Sequence, residues 1–430
     1  MPPFNWKRTF IVGFGFLGIS IIWPIFNNFV PIFLQAGNPE YNRQLLEAGR
    51  EIPKVAGFAL SPAIAFFIMT WDNIINVFVQ PWAGERSDRT WNRFGRRKPW
   101  ILIGAPIAAL AFIMVPLANT LLAIMAFILI TNLGMALFRS PTVAWLGDLF
   151  PSHDRSKANG VINLMGGVGA AIALFGGGIL FERFGRPAPF VFGSLLMLLA
   201  LAVALKGVKE PEQAGLDKED VGAGVLNNLR TVWRNPDRSG VFILLAILFW
   251  FMAFNAVETG LSSFAVFSLG MSPGRASLYT TLFAATLILF AIPSGLLATR
   301  IGRRPTILIG LTALVVLFLV GYLLVRSELP FALLLVLAGA AWALVNINSL
   351  PMVYDVGDER RIGAFTGLYY VSSQIAAVAG PTLAGVLVDL AGSQPRVTFL
   401  FAAFFMALAW VAMSRVRAHV GAPQTLSASQ

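Results

Sequence analysis

Cysteine is absent from the 430 residues, histidine occurs twice, and charged residues make up only 12%. Without thiols there is neither a disulfide nor a thiolate metal site, and nothing about redox compartment follows. His153 and His419 both fall in loops, which argues against a buried histidine-ligated metal. The alternating ten-residue segments of a membrane β-barrel are missing. The glycine-rich run Gly166, Gly167, Gly169 and Gly176 to Gly178 has no Walker lysine in context, so it reads as close helix packing rather than a phosphate loop. No nucleophile with its base, pair of catalytic acids or metal cluster is visible, which argues against an enzyme.

What is present is apolar. Hydrophobic residues make up 57%, and the mean hydropathy is +0.73, outside the range of ordinary soluble domains. A spanning helix needs roughly 20 apolar residues. The chain supplies twelve such runs, near 10–34, 56–82, 100–118, 121–149, 158–181, 189–208, 240–269, 276–299, 306–325, 330–354, 363–388 and 396–414. They are numbered helices 1 to 12 below. The first follows Lys7 and Arg8 but is too long for a signal peptide, and no small-residue cleavage site follows Trp23 and Pro24. Of the 32 Lys and Arg, 23 fall in the N-terminal segment and the connections on its side, 8 in the opposite connections, and Arg139 is embedded. That asymmetry places both termini in the cytoplasm. Topology and anionic lipid headgroups account for the net charge of +11 without nucleic acid.

The largest break in hydropathy, Lys206 to Gly240, is polar and of mixed charge. It reads as a cytoplasmic linker with a short surface helix near 224–233, and divides the chain into a bundle at 1–208, a linker at 209–239 and a bundle at 240–430 with a disordered tail. The long loop Gln35 to Lys54 on the opposite side is balanced in charge and partly helical in character. The halves repeat: GRRKPWILIG at Gly95 to Gly104 recurs as GRRPTILIG at Gly302 to Gly310, and at the same offset Asp148 meets Asp355 and Gly160 meets Gly367. Helices 3, 6, 9 and 12 are almost free of polar side chains, so every third helix faces lipid. Helices 1, 2, 4, 5, 7, 10 and 11 carry Asn, Gln, Asp, Glu or Arg and line something wet. Two six-helix bundles about a polar midline are a transporter layout.

The stretch from Trp71 to Pro106 carries a family resemblance. Gly84, Asp88, Arg89, Arg93, Gly95, Arg96 and Arg97 resemble the G-x-x-x-D-R and G-R-R loop of the major facilitator superfamily, with Thr90 to Asn92 inserted before Arg93. VQPWAGERSDRTWNRFGRRKP is similar to the sucrose-proton symporters. TWDNIINVFVQP and KPWILIG are similar to the melibiose-permease branch of cation symporters. In that branch helix 2 carries two aspartates at a cation site and helix 4 a third acid. Here Asp72 is kept, Asn76 replaces the second acid, and Arg139 stands at the helix 4 position. The resemblance with these departures favours a proton over sodium.

Asp72, Asn76 and Gln80 form one stripe on helix 2, and Asp72 and Arg139 lie about eighteen residues into parallel runs, at one depth. Either they neutralise each other and fix packing, or Arg139 keeps Asp72 ionised until substrate or a conformational change desolvates it and it takes a proton. Glu258, with Asn255 and Thr259, makes a polar face on helix 7 that binds sugar hydroxyls, carries a second proton or sits at a cavity rim. Asn27, Asn28, Asn163, Asn346, Asn348, Tyr369, Tyr370 and Gln374 both donate and accept hydrogen bonds. They suit a polyol substrate or act as interhelical glue. Asp88, Arg89, Arg93, Gly95, Arg96, Arg97, Asp148, Arg303, Arg304 and Asp355 are expected either as a belt of inter-bundle ion pairs closing the cytoplasmic side, with Asp358 to Arg361, or as solvated topology charges.

The expectation is therefore an all-α, twelve-helix secondary transporter in the cell membrane. It symports protons with a glucoside such as sucrose or maltose, needs no cofactor beyond the co-transported proton, and is a monomer in the lipid bilayer. A proton-coupled exporter of sugars or amphiphiles is the alternative, and a non-transporting receptor or scaffold the alternative of another class.

Overall fold

The computed structural model describes residues 4–210, 238–356 and 362–417, with the side chains of 152, 153, 156, 354–356 and 362–366 also left out. The expected surface helix near 224–233, Asp358 to Arg361, the side chains of His153 and Asp355, His419 and the tail after Val420 lie outside the described residues. Twelve helices are long and apolar enough to span: Trp6–Gln35, Pro62–Arg89, Lys98–Leu117, Leu121–Leu149, Lys157–Phe184, Ala188–Gly207, Ser239–Phe267, Pro273–Ile301, Arg303–Leu324, Glu328–Val353, Gly367–Leu390 and Val397–Ser414. They keep the numbers 1 to 12. Among the described residues there is no named strand, only a bridge between Asn92 and Gly95.

Several starts follow from local chemistry. Pro62, Pro99, Pro189 and Pro273 occupy first-turn positions, where a missing N–H costs nothing. Asn5, Ser61, Thr120 and Ser272 cap their helices by accepting from N–H groups three residues on.

Helix 2 departs most from its sequence reading. It begins at Pro62 rather than near 56, because 58–60 are non-helical and fold against the end of helix 1, with Phe58, Ala59 and Leu60 donating to Phe33, Ala36 and Leu34. It breaks at Thr70 and resumes as Trp71–Arg89. The second segment passes through Pro81 to Arg89, so Gly84, Asp88 and Arg89 lie on the helix and not in a loop. An exposed Arg89–Glu85 pair one turn apart accompanies this extension. Asp72 thus sits in the first turn of a helical segment that begins inside the span.

The packing reproduces the sequence repeat. Helix 1 packs on 5 and 6 as helix 7 packs on 11 and 12, helix 3 on 4 as 9 on 10, and helix 2 on 4 as 8 on 10. Helices 5 and 8, 2 and 11, and 1 and 7 join the halves, whereas the principal contacts of 3, 6, 9 and 12 stay within their own half. Their outer faces are apolar and exposed, for example Leu110, Leu199, Leu323 and Phe404, as lipid contact requires. Even the GRR turns match. Gly95 and Gly302 have φ of +113° and +93°, a region that L side chains avoid.

Candidate functional site

Three charged side chains converge where the halves meet. Asp72 of helix 2 has the guanidinium of Arg139 on helix 4 and the carboxyl of Glu258 on helix 7 as its electrostatic neighbours. Arg139 in turn faces Tyr370 of helix 11. Asn73 donates to Asp72 at 2.9 Å, and Asn27 of helix 1 donates across the interface to Glu258 at 3.3 Å. Asp72 and Arg139 are neighbours without a direct ion pair among the described residues; helix 2 starts at Pro62 and breaks at Thr70, so Asp72 lies nearer the start of its span than Arg139 does in helix 4. The positive end of the segment opening at Thr70 lies beside the Asp72 carboxylate. The cluster holds two carboxylates to one guanidinium, in a setting where isolated charge is expensive.

Glu258 opens onto a cavity of about 210 Å³. Its walls come from both halves and are overwhelmingly apolar: Phe254, Phe283, Leu287, Phe318 and Trp342 surround Asn27, Asn28, Ser262, Thr280 and Glu258. Trp342 and Phe254 stack at 4.3 Å to make one flat aromatic wall. Among the described residues Glu258 is the sole charged one in the lining.

The cavity is closed on the face opposite the GRR turns. Ala63 N–H donates to Asp389 at 3.1 Å, Ser277 to the Leu174 carbonyl at 2.8 Å, and Arg275 N–H to Glu182 at 3.2 Å, all between halves. Gly178 and Gly274 allow helices 5 and 8 to approach closely, since a Cβ on Gly178 would lie 2.7 Å from the Gly274 carbonyl. A strap from the loop after helix 1 covers this face. Its short helix Pro39–Glu47 places Tyr41 against Phe267 at 4.6 Å, and Gln35 binds both Tyr41 (2.7 Å) and Ser263 of helix 7 (2.8 Å). Burial, followed by the nearby Asp389, holds the Tyr41 phenol well above its usual range. At the GRR end, by contrast, Gly147, Gly160, Gly295 and Gly367 have open space beside them.

The basic turn is a network within the first half. Arg97 is 4% exposed and binds Asp148 at 2.9 Å, Asp88, and the Ser87 hydroxyl. Arg96 reaches Asp148 at 2.7 Å. Glu210 accepts from the backbone N–H groups of Arg96, Arg97 (2.9 Å) and Lys98 (3.1 Å) and from the Trp145 indole (2.9 Å). It tethers the chain after helix 6 to the start of helix 3. Among the described residues these contacts stay within the first half; the expected belt also draws on the side chain of Asp355 and on Asp358 to Arg361, which lie outside them. Arg304 binds the Met413 and Ser414 carbonyls within the second half. Arg89 pairs with exposed Glu85, and Arg93 lies over Phe94 at 4.7 Å.

The expected polyol set is dispersed. Asn27, Asn28 and Glu258 line the cavity. Asn255 and Asn163 instead donate to their own helices, at Phe251 and Asn159. Asn348 bridges to Ser294 of helix 8, and Tyr369 meets Ser349 at 3.1 Å. Asn76 is buried, Tyr370 faces Arg139, and Asn346 and Gln374 are half-buried away from the cavity lining. Sequence reasoning missed Glu210, Gln35, Tyr41, Ser262 and Ser263. Glu210 is one of several acids in a segment of mixed charge, and none of the five carried a signal beyond its polarity.

Two six-helix halves enclosing a charged and otherwise apolar cavity, closed at one face and parted at the other, define a multi-pass membrane transporter rather than an enzyme. The sequence profile of the Major Facilitator Superfamily matches residues 8–273 and 261–429. The chain belongs to that superfamily. It is 26% identical over 405 residues to multidrug resistance protein 2 of Bacillus subtilis (strain 168), covering 91% of this chain and 90% of that one. It is 24% identical over 326 residues to the class B tetracycline resistance protein of Escherichia coli, covering 73% and 76%. Among solved structures, the nucleoside transporter NupG aligns with a TM-score of 0.72 at 15% identity, over 95% of this chain and 100% of that one, a likeness of fold.

Proposed function

We propose that this chain is a proton-coupled secondary transporter whose substrate is an organic molecule with an apolar body and a small polar part. The carrying observation is the Asp72, Arg139 and Glu258 cluster at the edge of an aromatic cavity shared by both halves. Two acids facing one fixed cation leave room for one more positive charge, which a proton supplies. With the GRR face cytoplasmic, as the positive-inside rule has it, the conformation is open inward. Rocking about helices 2, 5, 8 and 11 exposes the cavity to the other side. The mainly apolar walls favour an amphiphile over a free sugar, and the relatives named for multidrug and tetracycline resistance are consistent with such a cargo.

A glucoside symporter is the second reading. The resemblance of Trp71 to Pro106 to sugar symporters, together with the flat Trp342–Phe254 wall beside Glu258 and Asn27, favours it. Flux of a labelled panel, amphiphilic aromatics beside sucrose and maltose, across proteoliposomes carrying an imposed pH gradient separates the readings. Movement of the amphiphiles alone supports the first, and movement of the disaccharides alone replaces it with the second. Failure of every compound to respond to the gradient removes both.

A further inference from the structure

The polar groups buried in the spans are, with few exceptions, satisfied by their own helices. Thr131, Thr142, Thr280, Thr286 and Thr382 donate to the carbonyl four residues back, and Asn255 and Asn348 do the same through their amides. That is the ordinary solution for a hydroxyl or amide in a helix without water. Asn28, Asn132, Ser262, Thr398 and the indoles of Trp23 and Trp250 break the pattern, and of these Asn28 and Ser262 alone are among the described lining of the cavity. Asn28 is 4% exposed and Ser262 2%, yet both amide atoms of Asn28 and the hydroxyl of Ser262 have no partner among the described residues. Both residues line the cavity.

Their placement is specific. Ser262 lies one turn beyond Glu258 on the same face of helix 7. Asn28 follows Asn27, which holds Glu258, so the two free groups lie on helices 1 and 7, which pack against each other between the halves. An unpaired buried amide carries a desolvation penalty that a leucine of similar size would avoid. The penalty is relieved when a ligand offers the complementary groups.

We propose that Asn28 and Ser262 form a hydrogen-bonding subsite for an uncharged head group that both donates and accepts, a carboxamide or paired hydroxyls, with the ligand's apolar body against the aromatic wall. This rests on the cavity being the substrate site. Asn28 offers a donor and an acceptor side by side and Ser262 a hydroxyl of either sense. Anionic heads are excluded because, among the described residues, Glu258 is the sole charge in the lining.

The test is equilibrium binding to the purified full chain in lipid nanodiscs, using 4-nitrobenzamide, 4-nitrophenyl β-glucoside, 4-nitrotoluene and 4-nitrobenzoate. The amide and the glucoside are expected to bind about tenfold more tightly than the toluene, the effect of one or two good hydrogen bonds, and the benzoate most weakly. Asn28→Leu and Ser262→Ala each erase most of that preference without weakening 4-nitrotoluene. Asn28→Leu also raises the melting temperature, the opposite of what a packing role predicts. Ser262→Ala removes one atom and keeps the test open should Asn28→Leu fail to fold. If the compounds bind but neither variant changes the preference, or the benzoate binds best, the subsite is overturned and the cavity stands. If none of the four binds wild type, the subsite falls together with the cavity as a substrate site.

Discussion

Replacing Gln35 with leucine tests how the closed face is held. Gln35 is fully buried and donates to Ser263 at 2.8 Å and to the Pro31 carbonyl at 2.9 Å, while accepting from Tyr41 at 2.7 Å. Gln35, Pro31 and Tyr41 all belong to the first half or its strap, so of the contacts Gln35 makes here the one to Ser263 is lost when this face opens. A net hydrogen bond is worth about 1 kcal/mol. Ser263 is 0% exposed and would lack this partner in the closed state yet be hydrated when open, which raises the bias to about 2 kcal/mol. At 1.4 kcal/mol per decade, the closed-to-open ratio should fall about 5- to 30-fold. Ser263→Ala loses the same contact without stranding a hydroxyl, so it should sit near the lower figure. The absence of cysteine makes the measurement direct. Spin labels at Phe184→Cys and Leu329→Cys, 70% and 71% exposed at this face on the two halves, report its opening by double electron–electron resonance. A longer-distance population that grows in Gln35→Leu is expected. An unchanged distance distribution in a folded variant would refute the latch.

Other perturbations carry distinct outcomes. Arg97→Leu removes the cation that joins Asp148, Asp88 and Ser87; with Arg96 still on Asp148 and Asp88 half exposed, the loss is about 3 kcal/mol. It should lower the apparent melting temperature in detergent, whereas Arg89→Leu, which breaks an exposed pair, should leave it nearly unchanged. Tyr41 has a folded pKa raised above its ordinary value of 10.0. Strap docking is therefore fully present below about pH 10 and weakens as pH rises from there toward the folded pKa; Ser268, whose carbonyl accepts from Arg50 of the strap, gives a site at which labelling of Ser268→Cys should accelerate over that range with Tyr41 present but not with Tyr41→Phe. Arg139→Met leaves two carboxylates facing each other with no fixed cation, and should shift the pH dependence of transport, while Asp72→Asn in the same chain restores the original excess of one carboxylate and should bring the dependence back toward wild type.

Much of the architecture was legible because the membrane imposes its own period. Twelve apolar runs predict the twelve helices, and the GRR repeat predicts packing pairs that recur six helices later. The limits of helix 2 were less legible. Residues 56–61 are apolar enough to span, but their backbone groups pair with the end of helix 1 and Pro62 sets the true start. The cluster was partly legible, since Asp72, Arg139 and Glu258 are embedded charges and such groups seek partners. Which amides face the cavity was not, because Asn28 and Asn255 look alike in sequence and differ only in whether the helix carbonyl four residues back takes the amide. Glu210 was hidden in a segment whose composition reads as linker, since its partners are backbone N–H groups that no pattern reveals.

Of the two acids in the cluster, we propose Asp72 as the one that carries the coupled proton, since Glu258 is held by Asn27. In proteoliposomes loaded with a pH-sensitive dye, an imposed gradient of a transported compound should move protons through wild type. Asp72→Asn should still bind and exchange that compound while moving none. Substrate-driven proton movement that persists in Asp72→Asn would contradict the account.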